Sequence, residues 1–327
     1  MNRARIVLAS LVVALVALAV FALAAGSYAL TPAEVLGAMF DPDAGFARTV
    51  VLEWRLPRVA AALVFGAALG VSGALFQTLS RNPLGSPDVI GFSTGAYTGA
   101  ILAIAFAGQT AISGAAGAIA GGLVTAFVVY ALAYRGGLAG FRLIVVGIGV
   151  TAMLHAFNTW LLLRLQTEVA MTAAIWGAGS LSLVSAQTLL PVAIVVAVAL
   201  AATAALHPAL RQLELGDDQA RAHGVPLEPA RLAILVVGIA LTASVTAVTG
   251  PIAFVALTAP QIAHRLTRSA GLPLVASALT GAALLLAADQ IAQHVVPTGV
   301  PVGVVTIVIG GAYLLLLLAR QTRRRRP

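Results

Sequence analysis

The sequence predicts an all-α membrane protein with about ten transmembrane helices, and three observations lead to this fold class. Hydrophobic residues make up 60% of the 327 residues and charged residues only 9%, a composition typical of polytopic membrane proteins. Uncharged stretches of at least about 20 residues, the length that spans a bilayer core, recur along the chain. The basic residues between these stretches are all arginines and are distributed unevenly between alternate connections.

Ten spans follow from the uncharged runs. The third and fourth come from one long run, which we divide at 108–109. The eighth is too short to cross a bilayer unaided. A further short helix is expected at the membrane surface around 169–181. The predicted spans are 6–29, 59–79, 89–107, 112–134, 143–163, 187–206, 231–249, 251–263, 272–291 and 301–319.

The arginines predict the topology. If both termini are cytoplasmic, fifteen of the nineteen lie on the cytoplasmic side, as the positive-inside rule requires. The arginine cluster at 323–326 is expected to bind anionic membrane lipid rather than nucleic acid. The first apolar run exceeds the usual core of a signal peptide, so we interpret it as a retained helix. The chain is therefore expected to form one transmembrane domain over 1–327, in the cytoplasmic membrane.

The composition also excludes several activities. The chain has no Cys and no Lys, so it has no thiol chemistry and no Walker A lysine for binding ATP. No His/Glu metal pair at helical spacing and no nucleophile elbow is present, which argues against an enzyme. Neither a cofactor nor a resident metal is expected.

A carrier driven by an ion gradient stays open as an alternative. Such carriers usually place ionisable groups inside the membrane, and the candidates here are Asp289 and His155. The opposing interpretation is that Asp289 pairs with an arginine on the outer face and that His155 makes an interhelical hydrogen bond.

Residues 81–96, RNPLGSPDVIGFSTGA, place an unusual density of polar, Gly and Pro residues between two apolar spans. So many polar, Gly and Pro residues in a short connection favour a role in recognising or gating a transported molecule. An ordinary interfacial turn, with Asp88 capping the next helix, is the alternative.

Two other segments favour structural elements that a partner protein can move. Residues 211–228 form the longest connection on the arginine-rich side, and LGDDQARAHGV at 215–225 predicts a short helix that begins with acidic residues and stops at Gly224. In 250–266, two prolines bracket a short apolar run, which predicts a short or broken helix. A solvated loop and a kinked packing helix are the respective alternatives.

On the other side of the membrane, Arg55 and Arg58 precede the second span at a spacing that puts them on one helical face. An exposed arginine pair is suited to bind carboxylates of another protein. Arginines that only reach toward the lipid headgroups are the alternative.

With these segments in this order, the chain resembles the FecCD/BtuC family of permeases, the membrane subunits of bacterial ABC importers for iron-siderophores, haem and cobalamin. The resemblance covers nearly the whole chain and also includes GAALGVSGALFQ at 66–77 and VPVGVVTIVIGGAYLLLLL at 300–318. The stretch ALTAPQIAHRLTRSAG at 256–271 is most similar to the ferric-enterobactin-type permeases, which favours a ferric siderophore as substrate over haem or cobalamin.

The resemblance implies a ten-helix permease that pairs with a second permease subunit, two cytoplasmic ABC ATPase subunits and an extracytoplasmic siderophore-binding protein. Arg55 and Arg58 would contact the binding protein. The contact with the ATPase would involve Leu215, Gly216, Asp217, Asp218, Ala220, Arg221 and Gly224. Candidate residues of the pathway or its gate are Gln77, Asn82, Pro83, Asn158, Pro260 and Gln261.

The chain departs from the family pattern at three places. Gln261 follows Pro260 where many family members carry His. Gln293 stands where family members often carry an arginine, which removes an expected third contact to the binding protein. His223 stands where Leu is common, which suggests a helix adapted to a particular ATPase.

Overall fold

The computed structural model describes residues 3–107, 110–134, 140–296 and 299–324, which fold into fifteen α-helices and one π-helical turn. In chain order the helices are α1 (Arg3–Ala24), α2 (Pro32–Phe40), α3 (Phe46–Thr49), the π-helical turn (Val50–Arg55), α4 (Leu56–Ser80), α5 (Phe92–Phe106), α6 (Ala111–Ala133), α7 (Gly140–Arg164), α8 (Thr167–Gly177), α9 (Ala186–Ala205), α10 (His207–Glu214), α11 (Asp217–Ala222), α12 (Leu227–Thr249), α13 (Val255–Thr267), α14 (Leu274–His294) and α15 (Val302–Arg324).

The predicted all-α class is confirmed, whereas the number of spans differs from the prediction. Each predicted span coincides with a helix, but within the described residues only seven helices are long and apolar enough to cross a membrane. With 15 and 13 residues, α5 and α13 extend about 22 and 20 Å, less than the roughly 30 Å of a bilayer core. The predicted division at 108–109 lies outside the described residues.

The connection from α4 to α5 explains why α5 is short. At the start of this connection, Ser80 lies against Gly140, the first residue of α7. At its end, Gly91 lies against Gly147 and Thr151 of the same helix. Residues 81–91 therefore re-enter the bundle by about 10 to 16 Å along α7, and an ordinary interfacial turn does not describe them.

The eighth span is also broken, as the sequence predicts. Helix α12 ends at Thr249, and the chain then runs without helical structure to Phe254, which has a φ of 68° and precedes α13. The carbonyl oxygen of Thr249 accepts a hydrogen bond from the backbone N–H of Ser180 at 2.7 Å. This break leaves α13 to begin inside the bundle.

Helix α4 forms the centre of the fold, packed between α12, α13 and α14. Gly66 allows the close approach of α14, because a Cβ at this position would lie 2.5 Å from the carbonyl oxygen of Gly281. The glycines at 117 and 121 serve the same purpose between α6 and α5. Close contact of small residues is a common way to pack helices in membranes.

Long-range hydrogen bonds sort the helix ends into two faces. At one end, Arg3 Nε donates to the carbonyl oxygen of Leu266 at 3.0 Å, and Arg81 Nη2 donates to that of Leu213 at 3.3 Å. At the other end, Arg55 Nη1 donates to the carbonyl oxygen of Leu23 at 2.8 Å. We call these ends the arginine-rich face and the opposite face.

Candidate functional site

The connection between α9 and α12 projects at the arginine-rich face as two short helices, α10 and α11. The predicted short helix is α11; it begins with Asp217 and Asp218 and is followed by Gly224 at a φ of 79°. The structure thus confirms a compact helical element at the predicted place.

The residues proposed for the ATPase contact divide into an outward and an inward set. Ala220 is fully buried and Asp217 is partly buried. By contrast, the side chain of Leu215 is 65% exposed and that of Asp218 is fully exposed. Gly216 lies between the two sets in exposure, and Arg221 and Gly224 are exposed.

Asp217 connects three separate parts of the chain. Its carboxylate accepts hydrogen bonds from Arg231 Nη2, at 2.7 Å to each oxygen, and also pairs with Arg81. Arg221, within α11, lies 3.5 Å from Asp218. Partial burial alone would raise the pKa of Asp217, but the hydrogen bond and charge of Arg231, together with Arg81, hold this pKa below the ordinary carboxyl value.

A second carboxylate, that of Glu214, anchors the C-terminal end of α10. Glu214 Oε1 accepts a hydrogen bond from the backbone N–H of Leu272 at 2.9 Å, in the connection between α13 and α14. Sequence reasoning missed both Glu214 and Arg231. The position of Glu214, just before the predicted acidic helix, gives a weak signal, but no sequence pattern reveals its partner 58 residues away.

Five of the six candidate pathway residues line one cavity of about 680 Å³ at the arginine-rich face. They are Gln77, Asn82, Pro83, Pro260 and Gln261. The residues come from α4, the re-entrant connection and α13, so the structure brings together segments that are up to 184 positions apart. Arg81 and Glu214 also line this cavity. Glu214 is the last residue of α10 and Arg81 pairs with Asp217 of α11, so the cavity adjoins both short helices.

Two amide side chains hold the wall of this cavity. Gln77 Nε2 donates to the carbonyl oxygen of Leu257 at 3.0 Å, and Gln261 Nε2 donates to that of Pro83 at 2.6 Å. Pro260 lies within α13, where it cannot donate a helical hydrogen bond. These contacts connect the re-entrant residues and α13 through hydrogen bonds between side chain and backbone.

Asp88 lies within the re-entrant connection, and its carboxylate accepts a hydrogen bond from the Ser93 hydroxyl in the first turn of α5. The alternative role of Asp88 as the cap of α5 is not seen, because the cap residue is Gly91 and no side-chain hydrogen bond caps this end of the helix.

Asn158 does not join the cavity. Its side chain is buried between α7 and α5, where Nδ2 donates to the carbonyl oxygen of Thr94 at 3.4 Å. His155, one turn away, is exposed on α7 rather than enclosed in an interhelical hydrogen bond between side chains. The fifth predicted span therefore contributes no residue to this cavity.

On the opposite face, the predicted exposed arginine pair is corrected. Arg55 is only partly exposed and donates to the carbonyl oxygens of Leu23, Ala24 and Tyr28 around the end of α1. Arg58 is 21% exposed and is paired with Asp289. The sequence allowed for a pair between Asp289 and an arginine of this face without showing which one, and it gave no sign of the carbonyl groups that bind Arg55.

The pair of Arg58 and Asp289 has the geometry of a bidentate ion pair. Arg58 Nη2 donates to Asp289 at 2.8 Å, and Nε lies 3.1 Å from each carboxylate oxygen. Gln293 Nε2 donates to the same carboxylate at 2.6 Å. The local pairing considered for Asp289 is therefore confirmed, and this carboxylate is fully buried among donors.

Both arginines line a cavity of about 980 Å³ at the opposite face. Glu53, His294 and the start of α9 also reach this cavity. Over the described part of the chain, no group of three or more His, Asp or Glu side chains is arranged to hold a metal ion.

Comparison with known proteins agrees with this arrangement. The model of the FecCD transport family matches residues 13–320. The ferric enterobactin transport system permease protein FepG of Escherichia coli is 48% identical over 316 residues, covering 96% of each chain. The permease protein FepD of the same organism, also named for ferric enterobactin transport, is 38% identical over 84% of this chain and 83% of its own.

A solved structure has the same fold. A chain from a metal-chelate type ABC transporter in an inward-facing conformation superimposes with a TM-score of 0.83 at 26% identity, covering 96% of this chain and 98% of the other. The family match extends over almost all of the sequence and includes the helices that form both cavities. The chain therefore belongs to the FecCD transport family.

Proposed function

We propose that this chain is the membrane-spanning permease subunit of a binding-protein-dependent ABC importer that carries a ferric siderophore. It crosses the membrane ten times, with both termini and the arginine-rich face in the cytoplasm. The observation that carries the proposal is the rigid pair α10 and α11. It presents an exposed outer surface and is fastened on its inner side to the wall of a cavity in the bundle.

The energy source is a separate ATPase. The sequence contains no lysine and hence no Walker A motif, so ATP must be bound by another subunit. We assign α11 of this chain as the contact that receives movement from one ATPase subunit. Leu215, Asp218 and Arg221 supply apolar, acidic and basic groups on this exposed surface. This mixture suits the docking of a protein, since a rim of charges around an apolar anchor is common at interfaces.

The opposite face receives the binding protein. Arg55 and Arg58 line its cavity, and their remaining exposed atoms can attract carboxylates of that protein. Because both guanidinium groups already bind acceptors in this chain, we assign them a part in shaping and charging the docking surface.

The names of the relatives support the substrate and the second permease. FepG and FepD are both named as permeases for ferric enterobactin transport in one organism, which favours a pair of non-identical permeases around a shared path. A ferric siderophore carries its own metal ligands, so this path needs no metal site of its own.

Reconstitution tests the function. Proteoliposomes would contain this chain, the ATPase, the binding protein and the candidate second permease encoded nearby. Uptake of a radio-iron siderophore panel, with haem and cobalamin included, would be measured with ATP and with a variant ATPase that lacks its Walker A lysine. We expect one ferric siderophore to enter, and only when every component and ATP are present.

Two outcomes contradict the proposal. Uptake by this chain alone under an imposed proton or sodium gradient would establish an ion-driven carrier. ATP-dependent uptake of haem or cobalamin but not of any siderophore would retain the importer and replace its substrate.

A further inference from the structure

The junction at Asp217 is more extensive than the docking of a surface helix requires. Its two carboxylate oxygens accept hydrogen bonds from Arg231 in α12 and Arg81 at the end of α4, and Arg81 also donates to the carbonyl oxygen of Leu213. Arg231 is 13% exposed. One acidic side chain therefore joins α11 to two helices of the membrane bundle.

The Arg81 side of this junction continues to the cavity. Arg81 is the cap of α4, with a φ of 49°, and it lines the cavity beside Asn82 and Pro83. The carbonyl oxygen of Pro83 binds Gln261 of α13. A displacement of Asp217 thus reaches α13 through one ion pair, two residues of backbone and one hydrogen bond.

A second, independent contact ties α10 to the connection that follows α13. Glu214, three residues before Asp217, accepts a hydrogen bond from the backbone N–H of Leu272 in that connection. The two contacts hold α10 and α11 to the bundle at separate points.

We propose that Asp217 is a positioning residue that transmits movement of α11 to Arg81 and the cavity wall. It does so without touching the ATPase or the substrate. This inference rests on the proposed function, and it assigns a role to the inner side of α11 that is separate from partner docking on its outer side. An asparagine at 217 would keep the shape but lose the negative charge and one acceptor between two guanidinium groups.

The sequence offers a matched control away from the proposed docking residues. Asp43 has the same side chain, is exposed and lies between α2 and α3. In the reconstituted transporter, we expect Asp217→Asn to lower the substrate transported per ATP hydrolysed by about fivefold or more, the low end of typical coupling between sites. Asp43→Asn should leave this ratio within about twofold of wild type, as expected for an exposed charge.

The Arg81→Gln variant tests the same path from its other end. If Asp217 acts through Arg81, the double variant should lose no more coupling than the stronger single variant, because the two changes break one interaction. Arg81→Gln also provides the test should Asp217→Asn fail to assemble. Additive losses in the double variant, or a wild-type ratio in either single variant, would overturn the proposal.

A distance measurement separates this inference from the proposed function. The chain has no native cysteine, so spin labels can be placed at Leu84→Cys and Ala222→Cys, two exposed positions on either side of the junction. In the assembled transporter, the distribution of distances between the labels should stay narrow with and without nucleotide in the wild-type background. The distribution should broaden with Asp217→Asn and remain narrow with Asp43→Asn.

An unchanged distance distribution in the Asp217→Asn background would refute the linkage whatever the transported substrate is. If the wild-type complex takes up no substrate with ATP, the proposed function fails, while the label distances still report whether Asp217 holds the junction.

Discussion

Replacing Asp289 by Asn should lower the apparent free energy of unfolding of the purified protein by about 2 to 4 kcal/mol. The carboxylate is fully buried and receives hydrogen bonds from Arg58 and Gln293. Removing one partner of a buried pair costs about 3 to 5 kcal/mol. We expect a loss about 1 kcal/mol below that range, because Arg58 is 21% exposed and water can reach the stranded charge.

A double-mutant cycle measures the interaction itself. Arg58→Gln and Asp289→Asn would be compared singly and together by reversible unfolding in mixed micelles, with Arg5→Gln as an exposed control. We expect a coupling energy of about 1 to 3 kcal/mol, as found for residues in direct contact. A coupling energy near zero would show that the pair does not hold α4 against α14.

This cycle also decides how binding-protein docking can be tested. A change of Arg58 to Glu would place a second carboxylate beside buried Asp289, so weaker docking of that variant would not identify a contact. Arg55→Gln removes charge without this conflict, although it releases carbonyl oxygens at the end of α1. Docking affinity should fall in Arg55→Gln and also in the neutral pair Arg58→Gln with Asp289→Asn, if both arginines attract the binding protein.

Three further predictions concern the arginine-rich face. Gly224→Pro should abolish coupled transport while the protein still inserts into the membrane. The φ of 79° at this position is incompatible with proline, and the N–H of Gly224 donates to the carbonyl oxygen of Arg221. Gly224→Ala is the milder control, and normal substrate uptake per ATP in the proline variant would contradict the reasoning. Gln261→Leu should lower substrate uptake without loss of protein from the membrane, since it removes the bond to Pro83; Gln166→Leu, at an exposed position before α8, should leave uptake unchanged. The contribution of Asp217 to stability should be complete above its unfolded pKa of about 4 and should be lost as pH falls through its lower folded pKa. The melting temperature measured from pH 6 to pH 3 should therefore fall less steeply in Asp217→Asn than in wild type. Parallel plots of melting temperature against pH would refute the lowered pKa.

The sequence predicts those features that depend on local patterns. The apolar runs mark the helices, Gly224 marks the end of α11, and the bracketing prolines mark the broken segment before α13. Each of these depends on a few adjacent residues, whose hydrophobicity or backbone freedom can be read directly.

Features that depend on distant partners could be predicted only in part. A pair between Asp289 and an arginine of the outer face was considered, but the sequence does not show that this arginine is Arg58, 231 residues earlier. No local pattern shows that Asp217 binds arginines of α4 and α12. Hydropathy predicts ten spans, whereas α5, α13 and the described apolar part of α15, Val302–Leu316, are shorter than the other seven. Hydropathy also does not show that the chain re-enters the bundle before α5 begins.

The division of α11 into an anchored inner side and an exposed outer side has a consequence for how such transporters diversify. If α11 docks an ATPase as proposed, residues on the outer side can change with the surface of that partner, since Asp218 and Arg221 pair with each other rather than with the bundle. Asp217, Arg81 and Arg231 must instead change together or not at all. Under that proposal, different ATPases could be matched to the same channel by substitutions at the outer positions, while the path for the substrate stays the same.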